Sequence, residues 1–219
     1  MANISKYTKL SLFINSKSAS SSFLINSLII NLSRSVKIGL EVDFFPNIES
    51  IDKIQEITKT YKFDYLIGSV HFLNDFSIDG NKKYWKNLSQ TRINEIYLEY
   101  WKNIKLLANS KMFDFVGHID LPKKFGFLEN IDLKNEIFDA LSEVKRNNLK
   151  VEINTAGYGK ICNEIYPSNF ILKKCLDLEI PIIVNDDSHS IDQLGQYYDK
   201  LAIELQKSNL FLNFDNKFK

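Results

Sequence analysis

Cysteine, histidine and net charge are all scarce in this sequence of 219 residues. The two cysteines, Cys162 and Cys175, form no CxxC pair, which argues against a disulfide framework and favours the reducing cytoplasm. The formal net charge is only +1, so no long-range field attracts nucleic acid or an anionic membrane. No apolar run approaches the roughly 20 residues of a membrane-spanning helix. We therefore expect a cytoplasmic protein that binds neither nucleic acid nor membrane.

The length and the average composition, with 44% hydrophobic and 25% charged residues, are typical of one globular domain. Short apolar runs alternate with segments of helical spacing. Strands are predicted over residues 38–44, 65–72, 113–117, 150–154 and 180–184, and helices over residues 48–61, 91–110, 137–147, 169–178 and 192–207. Residues 73–90 are predicted to be irregular, residues 121–131 to form a basic loop, and Asp132 to cap the helix that follows. The alternation predicts an α/β domain.

The three histidines of the chain each follow a short apolar run. His71, His118 and His189 therefore lie near the predicted ends of strands, and Glu41 and Asp43 have a similar setting. Runs of this kind are typical of the buried strands of a parallel sheet, whose carboxyl ends are where functional residues collect. The alternative is that each histidine is an ordinary hydrogen-bonded core or loop residue, since imidazole has many uses.

A metal site explains the shared placement of these histidines and carboxylates better than separate structural roles do. Imidazole and carboxylate suit zinc, manganese or iron. Asp187 and His189 are two residues apart, so in an extended segment they point the same way and can both reach one metal ion or two adjacent ions. The predicted metal ligands, which are also the predicted catalytic residues, are Glu41, His71, His118, Asp187 and His189.

Six segments, in this order along the chain, together resemble one known family. They are Lys37-Ile-Gly-Leu-Glu-Val-Asp, Ile67-Gly-Ser-Val-His-Phe-Leu, Val116-Gly-His-Ile-Asp-Leu-Pro-Lys-Lys-Phe-Gly, Val151-Glu-Ile-Asn-Thr-Ala-Gly, Ile165-Tyr-Pro-Ser and Ile180-Pro-Ile-Ile-Val-Asn-Asp-Asp-Ser-His-Ser. The family is the histidinol-phosphatase branch of the PHP (polymerase and histidinol phosphatase) superfamily, and the likeness runs from about residue 37 to about residue 201. It implies a distorted (β/α)7 barrel with up to three metals at the carboxyl ends of its strands. It also implies hydrolysis of a small phosphate ester, L-histidinol phosphate, in histidine biosynthesis.

The resemblance implies a role for each predicted ligand. Glu41 resembles the bridging carboxylate, His71 and His118 resemble the ligands of the next two motif strands, and Asp187 and His189 resemble the Asp-x-His pair near the carboxyl terminus.

The resemblance also points to substrate contacts. Lys123 and Lys124 follow His118 as basic residues do in the family and are predicted to face the phosphate, with a solvated loop as the alternative. Gly159 stands where the family usually has an arginine, and the adjacent Lys160 is a further predicted substrate contact. Because a point charge replaces a forked guanidinium poorly on phosphate, we expect weaker substrate binding than in the family.

The start of the sequence departs from the family, which begins with a strand carrying His-x-His. No histidine precedes His71, and residues 1–36 are serine-rich, lack acidic residues and contain no segment that resembles the first strands. We therefore expect residues 1–36 to be a divergent, poorly ordered segment and residues 37–219 to form an incomplete distorted (β/α)7 barrel with fewer than three metals. Apolar residues within 24–32 could cover the gap as a helix or strand. Otherwise the open sheet edge favours self-association.

Three functions remain open on the sequence. The first is a metal-dependent histidinol-phosphatase. The second is a non-catalytic, N-terminally truncated remnant that serves as a scaffold. The third is another PHP phosphoesterase, and the near-neutral charge disfavours a nucleic-acid substrate.

Overall fold

A computed structural model describes residues 10–11 and 37–207 of the chain. Its strands are β1 (Leu10–Ser11), β2 (Ile38–Asp43), β3 (Tyr65–Ser69), β4 (Phe72–Leu73), β5 (Phe76–Ser77), β6 (Phe115–Val116), β7 (Lys150–Asn154) and β8 (Ile182–Asn185). Six of them form one sheet in the order β1-β2-β3-β6-β7-β8, in which every neighbouring pair is parallel. Strands β4 and β5 form a separate antiparallel pair. Within the described residues the sheet is open, with β1 at one edge and β8 at the other.

Helices connect the parallel strands and cover the sheet. They are α1 (Ile48–Thr60), α2 (Lys83–Lys86), α3 (Gln90–Ser110), α4 (Lys134–Arg146), α5 (Asn169–Asp177) and α6 (Tyr198–Lys207), with 3-10 turns at Leu121–Phe125, Thr155–Gly159 and Ile191–Gln193. Parallel strands joined through helices are the pattern of an α/β fold, so the predicted class is confirmed. None of the described helices combines the length and apolarity needed to cross a bilayer.

The long helix α3 shows why the helical spacing was a reliable signal. Ile96, Tyr100, Ile104 and Leu107 recur on one face of the helix, and all four are fully buried. Ser89 caps the helix, because its side chain accepts a hydrogen bond from the backbone N–H of Arg92 at 3.2 Å. The buried face packs against α4 and anchors one side of the core.

The inner face of the sheet is divided into an apolar layer and a polar layer. Tyr65, Ile67, Phe115 and Ile183 form a buried apolar cluster of their own. Alternate residues of a strand share a face, so the residues on the same face as this cluster but nearer the carboxyl ends of the strands can be read from the sequence. They are polar, namely Glu41, Asp43, Ser69, Glu152, Asn154 and Asn185. The register therefore gathers polar side chains at the edge where the parallel strands end.

Gly39 of β2 leaves room for the side-chain ring of Tyr65, its partner in β3. A Cβ at this position would lie 1.8 Å from the Tyr65 ring, so no larger residue fits without displacing that ring. Gly39 shares a face with Glu41, two residues on. The glycine thus lets Tyr65 fill the bottom of the inner face directly below the carboxylate.

Three local predictions were wrong. The segment predicted as irregular holds the β4–β5 hairpin and the short helix α2. Leu133, not Asp132, occupies the N-cap of α4, because the Asp132 carboxylate accepts instead from the backbone N–H of Lys134, at 3.0 Å. The last helix begins at Tyr198, since Gly195 and Tyr197 adopt positive φ values of 75° and 63° that a helix cannot contain.

Most of residues 1–36 and all of residues 208–219 lie outside the described residues. The predicted order and boundary of the segment 1–36, and a covering element within residues 24–32, thus remain predictions. Residues 10–11 are the exception, because they extend the sheet with the register Leu10 to Ile38 and Ser11 to Gly39.

Candidate metal centre

Three of the five predicted ligands converge at the polar edge of the sheet. The Nε2 atom of His118 lies 3.1 Å from Glu41 Oε1 and 3.1 Å from the Nε2 atom of His71. The third side of the triangle, from His71 Nε2 to Glu41 Oε1, measures 3.8 Å. One donor atom from each residue lies within 4.8 Å of the others, as a shared metal ion requires.

Each of the three side chains reaches this point from a different strand. Glu41 lies within β2, and His71 follows β3 by two residues. His118 follows β6 by two residues and has a positive φ of 24°, which turns the chain sharply at the strand end. The Ser69 hydroxyl donates a hydrogen bond of 2.6 Å to Glu41 Oε1 and fixes the carboxylate. Adjacent parallel strands therefore supply the donors in chain order.

The charges of the site favour an ionised carboxylate and a protonated imidazole when no metal is present. Burial alone would raise the pKa of Glu41, but the hydrogen bond and charge of His118, the charge of His71 and the hydrogen bond of Ser69 lower it to about 2. Burial likewise opposes the charged form of His118, yet the hydrogen bond and charge of Glu41 raise its pKa to about 9. A divalent cation would take the place of this proton beside the carboxylate.

The triangle of donor atoms fits a zinc-sized ion. Ligands bound tetrahedrally at about 2.0–2.1 Å are separated from each other by about 3.4 Å. The three observed separations, 3.1, 3.1 and 3.8 Å, bracket that value. Two imidazoles and one carboxylate also form a donor set that leaves a fourth position open for water or substrate. The residues present therefore fit one divalent ion.

Asp187 lies close to this centre, although it is outside the triangle. Burial and the charges of Glu152 and Glu41 raise the pKa of Asp187 to about 6, against the opposing charges of His118 and His189. A carboxylate held among other carboxylates in this way is stabilised by a cation. The ligand role predicted for Asp187 stays a prediction.

His189 takes a different position from the one expected. Strand β8 ends at Asn185, and Asp187 has a left-handed φ of 51°, so the segment is not extended and its side chains do not alternate simply. The His189 Nδ1 atom instead approaches the Asp187 carbonyl oxygen at 2.7 Å, and its side chain is 55% exposed. The argument that both side chains reach one ion or two adjacent ions assumed an extended segment, and the segment is not extended. The ligand role of His189 stays a prediction.

The lysines predicted to contact substrate differ in their burial and in the groups that surround them. Lys123 is buried. Its ammonium donates a hydrogen bond to the Ile165 carbonyl at 2.7 Å and forms ion pairs with Asp120 Oδ2 at 2.9 Å and Glu164 Oε1 at 3.2 Å. These contacts hold the ammonium within the protein. The phosphate contact predicted for Lys123 stays a prediction.

Lys124 is also paired within the protein. Its ammonium bonds the carbonyl of Asp79 at 2.9 Å and the carboxylate of the same residue at 3.2 Å. Lys160, by contrast, is exposed and directly follows the 3-10 turn after β7. The space beside Gly159 is taken by Tyr197, whose hydroxyl lies 2.9 Å from where a Cβ would stand. The substrate contacts predicted for Lys124 and Lys160 stay predictions.

Two carboxylates that were not predicted as site residues hold the histidines. Asp43 Oδ1 lies 2.5 Å from His71 Nδ1. Glu152 is buried, and its Oε2 accepts the backbone N–H of His118 at 3.0 Å, while its Oε1 accepts from Asn185 Nδ2 at 2.5 Å. The sequence carries a signal for both. Asp43 shares a strand face with Glu41, and Glu152 interrupts a buried apolar strand.

The fold and this site define a class: a parallel α/β protein with a histidine–carboxylate metal centre at the carboxyl ends of its strands. The sequence model of the PHP domain matches residues 22–156, which is more than half of the chain. The chain therefore belongs to the PHP domain family.

Several known proteins are similar to the chain. A Deinococcus radiodurans protein named "Probable histidinol-phosphatase" is 32% identical over 160 residues, covering 73% of this chain and 60% of the relative. The Bacillus subtilis histidinol-phosphatase is 28% identical over 182 residues, covering 75% of this chain and 67% of the relative. The chain thus spans about 60% of the length of the first of these relatives.

Among solved structures, the histidinol phosphate phosphatase of Lactococcus lactis, complexed with zinc, L-histidinol and phosphate, superposes with a TM-score of 0.64. The match has 18% identity and covers 90% of this chain and 75% of the other. At that identity the likeness establishes a shared fold. It supports the predicted barrel-like α/β architecture.

Proposed function

We propose that the chain is a metal-dependent phosphomonoester hydrolase of the histidinol-phosphatase type, which converts L-histidinol phosphate and water to L-histidinol and phosphate. The observation that carries the proposal is the convergence of Glu41, His71 and His118 on one point with separations suited to a divalent ion. The names of the relatives supply the substrate class.

The chain's own residues would hold the ion and orient the ester. Glu41 Oε1, His71 Nε2 and His118 Nε2 are the donors, and the nearby Asp187 carboxylate adds negative charge beside them. When bound, a divalent ion polarises a phosphoryl oxygen and makes water a better nucleophile. Lys160, exposed at the carboxyl edge of the sheet, attracts the phosphate dianion without forming a forked contact.

The donor set also bears on which metal binds and how many ions do. Two imidazoles and a carboxylate suit zinc, manganese or iron. The three converging residues account for one ion, and Asp187 and His189 are the remaining candidates for a second. We propose one or two ions per chain, fewer than the three of the full family.

Phosphate release from L-histidinol phosphate, with zinc or manganese added, tests the proposal. The wild-type chain should release phosphate, and the Glu41→Gln variant should lose activity because the carboxylate donor is gone. Gln90→Ala is the control, because Gln90 lies at the start of α3 and its replacement removes none of the three proposed metal-donor atoms. Wild-type release no faster than that of a His71→Ala, Asp187→Ala double variant would reject catalysis.

Elemental analysis of the purified chain, together with the activity assay, distinguishes the proposed phosphatase from the alternative functions. About one or two metal ions per chain, lost in the Glu41→Gln variant, support the phosphatase. A folded protein without stoichiometric metal and without activity indicates a non-catalytic scaffold. Activity on a general phosphomonoester that exceeds activity on L-histidinol phosphate indicates another PHP phosphoesterase.

A further inference from the structure

The contact between Asp43 and His71 is the shortest of the polar contacts that His71 makes. Asp43 Oδ1 lies 2.5 Å from His71 Nδ1, compared with 3.1 Å between the two histidine Nε2 atoms. Asp43 is the last residue of β2 and pairs in register with Ser69 of β3, two residues before His71. The sheet register therefore brings the carboxylate beside the segment that follows β3, from which the His71 ring extends.

This contact decides where the proton of the His71 ring lies. A carboxylate accepts, so the Nδ1 atom of His71 carries the hydrogen that it donates to Asp43. In the neutral imidazole the other nitrogen, Nε2, then presents a lone pair. That Nε2 atom is the His71 corner of the donor triangle, 3.1 Å from His118 Nε2 and 3.8 Å from Glu41 Oε1.

The two histidines of the triangle are held differently. His118 Nδ1 is buried and has no hydrogen-bond partner among the described residues, and His118 is fixed through its backbone N–H by Glu152. His71 is 20% exposed in its side chain and is fixed through its ring by Asp43. The more exposed ring is thus the one whose orientation depends on a side-chain hydrogen bond.

We propose that Asp43 is a positioning residue for the metal centre: it holds His71 in the tautomer and orientation that direct the Nε2 lone pair at the ion. The proposal rests on the metal centre of the proposed function. Outer partners of this kind raise the donor strength of the imidazole, and their loss lowers metal affinity by about 10- to 100-fold. Asp43 itself does not contact the ion.

Two measurements on the full chain test this role. Zinc affinity is measured by competition with a chromogenic chelator for the wild type, Asp43→Ala, Asp43→Asn and the control Asp75→Ala, which removes an exposed negative charge elsewhere. The tautomer of His71 is read in the metal-free wild type and variants from long-range ¹⁵N–¹H NMR correlations. Circular dichroism verifies folding, and Asp43→Asn, which keeps the shape and one acceptor oxygen, serves if Asp43→Ala does not fold.

We expect the wild-type His71 to carry its proton on Nδ1, and Asp43→Ala to bind zinc about 10- to 100-fold more weakly. Asp43→Asn should lie between the two, because its amide oxygen still accepts from Nδ1, and Asp75→Ala should match the wild type. Zinc affinity within twofold of wild type in Asp43→Ala, or an Nε2–H tautomer in the wild type, would overturn the proposal. The tautomer measurement needs neither metal nor substrate, so a chain with the expected tautomer and zinc affinities but no phosphatase activity would reject only the proposed function.

Discussion

Glu152 holds His118 by its backbone: the N–H of His118 donates to Glu152 Oε2 across 3.0 Å. Glu152 lies in β7 and His118 just past β6, so the bond ties the turn at a strand end to the neighbouring strand. The same carboxylate accepts from the side-chain amides of Asn154, at 3.2 Å, and Asn185, at 2.5 Å. One buried acid therefore fixes the carboxyl ends of three strands.

Replacing Glu152 with alanine should destabilise the protein and loosen the metal centre. The change leaves buried N–H donors without an acceptor, which costs roughly 3 kcal/mol of unfolding free energy. It also frees the positive-φ turn at His118, so zinc affinity should fall as well. Urea denaturation and chelator competition measure the two effects. Glu95→Ala, at an exposed ion pair on α3, is the control, and equal stability of the two variants would contradict the role of Glu152.

The strands and the main triangle could be predicted because they rest on local pattern and parallel topology. Short apolar runs marked β2, β3, β7 and β8, and the carboxyl ends of adjacent parallel strands necessarily meet at one edge. Glu41, His71 and His118 were found on that argument. Strand β6 was harder to delimit, because only Phe115 and Val116 of its apolar segment pair with neighbours.

The parts that could not be predicted depend on contacts distant in sequence or on single backbone angles. In the sequence Lys123 resembles an exposed loop lysine. In the structure it is buried, donates a hydrogen bond to the carbonyl of Ile165, 42 residues away, and pairs with Asp120 and Glu164. The direction in which the Asp187 side chain points depends on its positive φ. An aspartate can adopt such a φ, but its presence in the sequence does not predict one. Neither feature leaves a periodic signal in the sequence.

Zinc should stabilise the folded protein through the triangle of Glu41, His71 and His118. A ligand that binds only the folded state at 100 times its Kd adds about 2.7 kcal/mol to the unfolding free energy. For a domain of this size the corresponding rise in Tm is about 5–10 °C. Thermal unfolding with and without zinc measures it. The rise should vanish in His118→Ala, and a rise of the same size in that variant would place the stabilising zinc elsewhere.

Loss of the Lys123 ammonium should destabilise the fold. The side chains of Lys123 and Asp120 are only 6% and 8% exposed, so a Lys123→Met substitution leaves a buried carboxylate without its cation. Breaking a buried pair in this way costs about 3–5 kcal/mol of unfolding free energy. Urea denaturation measures the change. Lys105→Met, which breaks the exposed pair with Asp139, should have a much smaller effect, and similar losses in the two variants would contradict this account.

Lys160 should affect substrate binding more than turnover. An exposed lysine attracts the phosphate dianion but makes no fixed forked contact, so its contribution is of the order of 1 kcal/mol, or about fivefold. We therefore expect Lys160→Ala to raise KM about fivefold with little change in kcat. Because exposed charges are screened by salt, the difference from wild type should shrink at high ionic strength. Steady-state kinetics at low and high salt measure both effects, with Lys173→Ala, an exposed lysine on α5, as the control. A fall in kcat at constant KM would instead place Lys160 at the reacting phosphate.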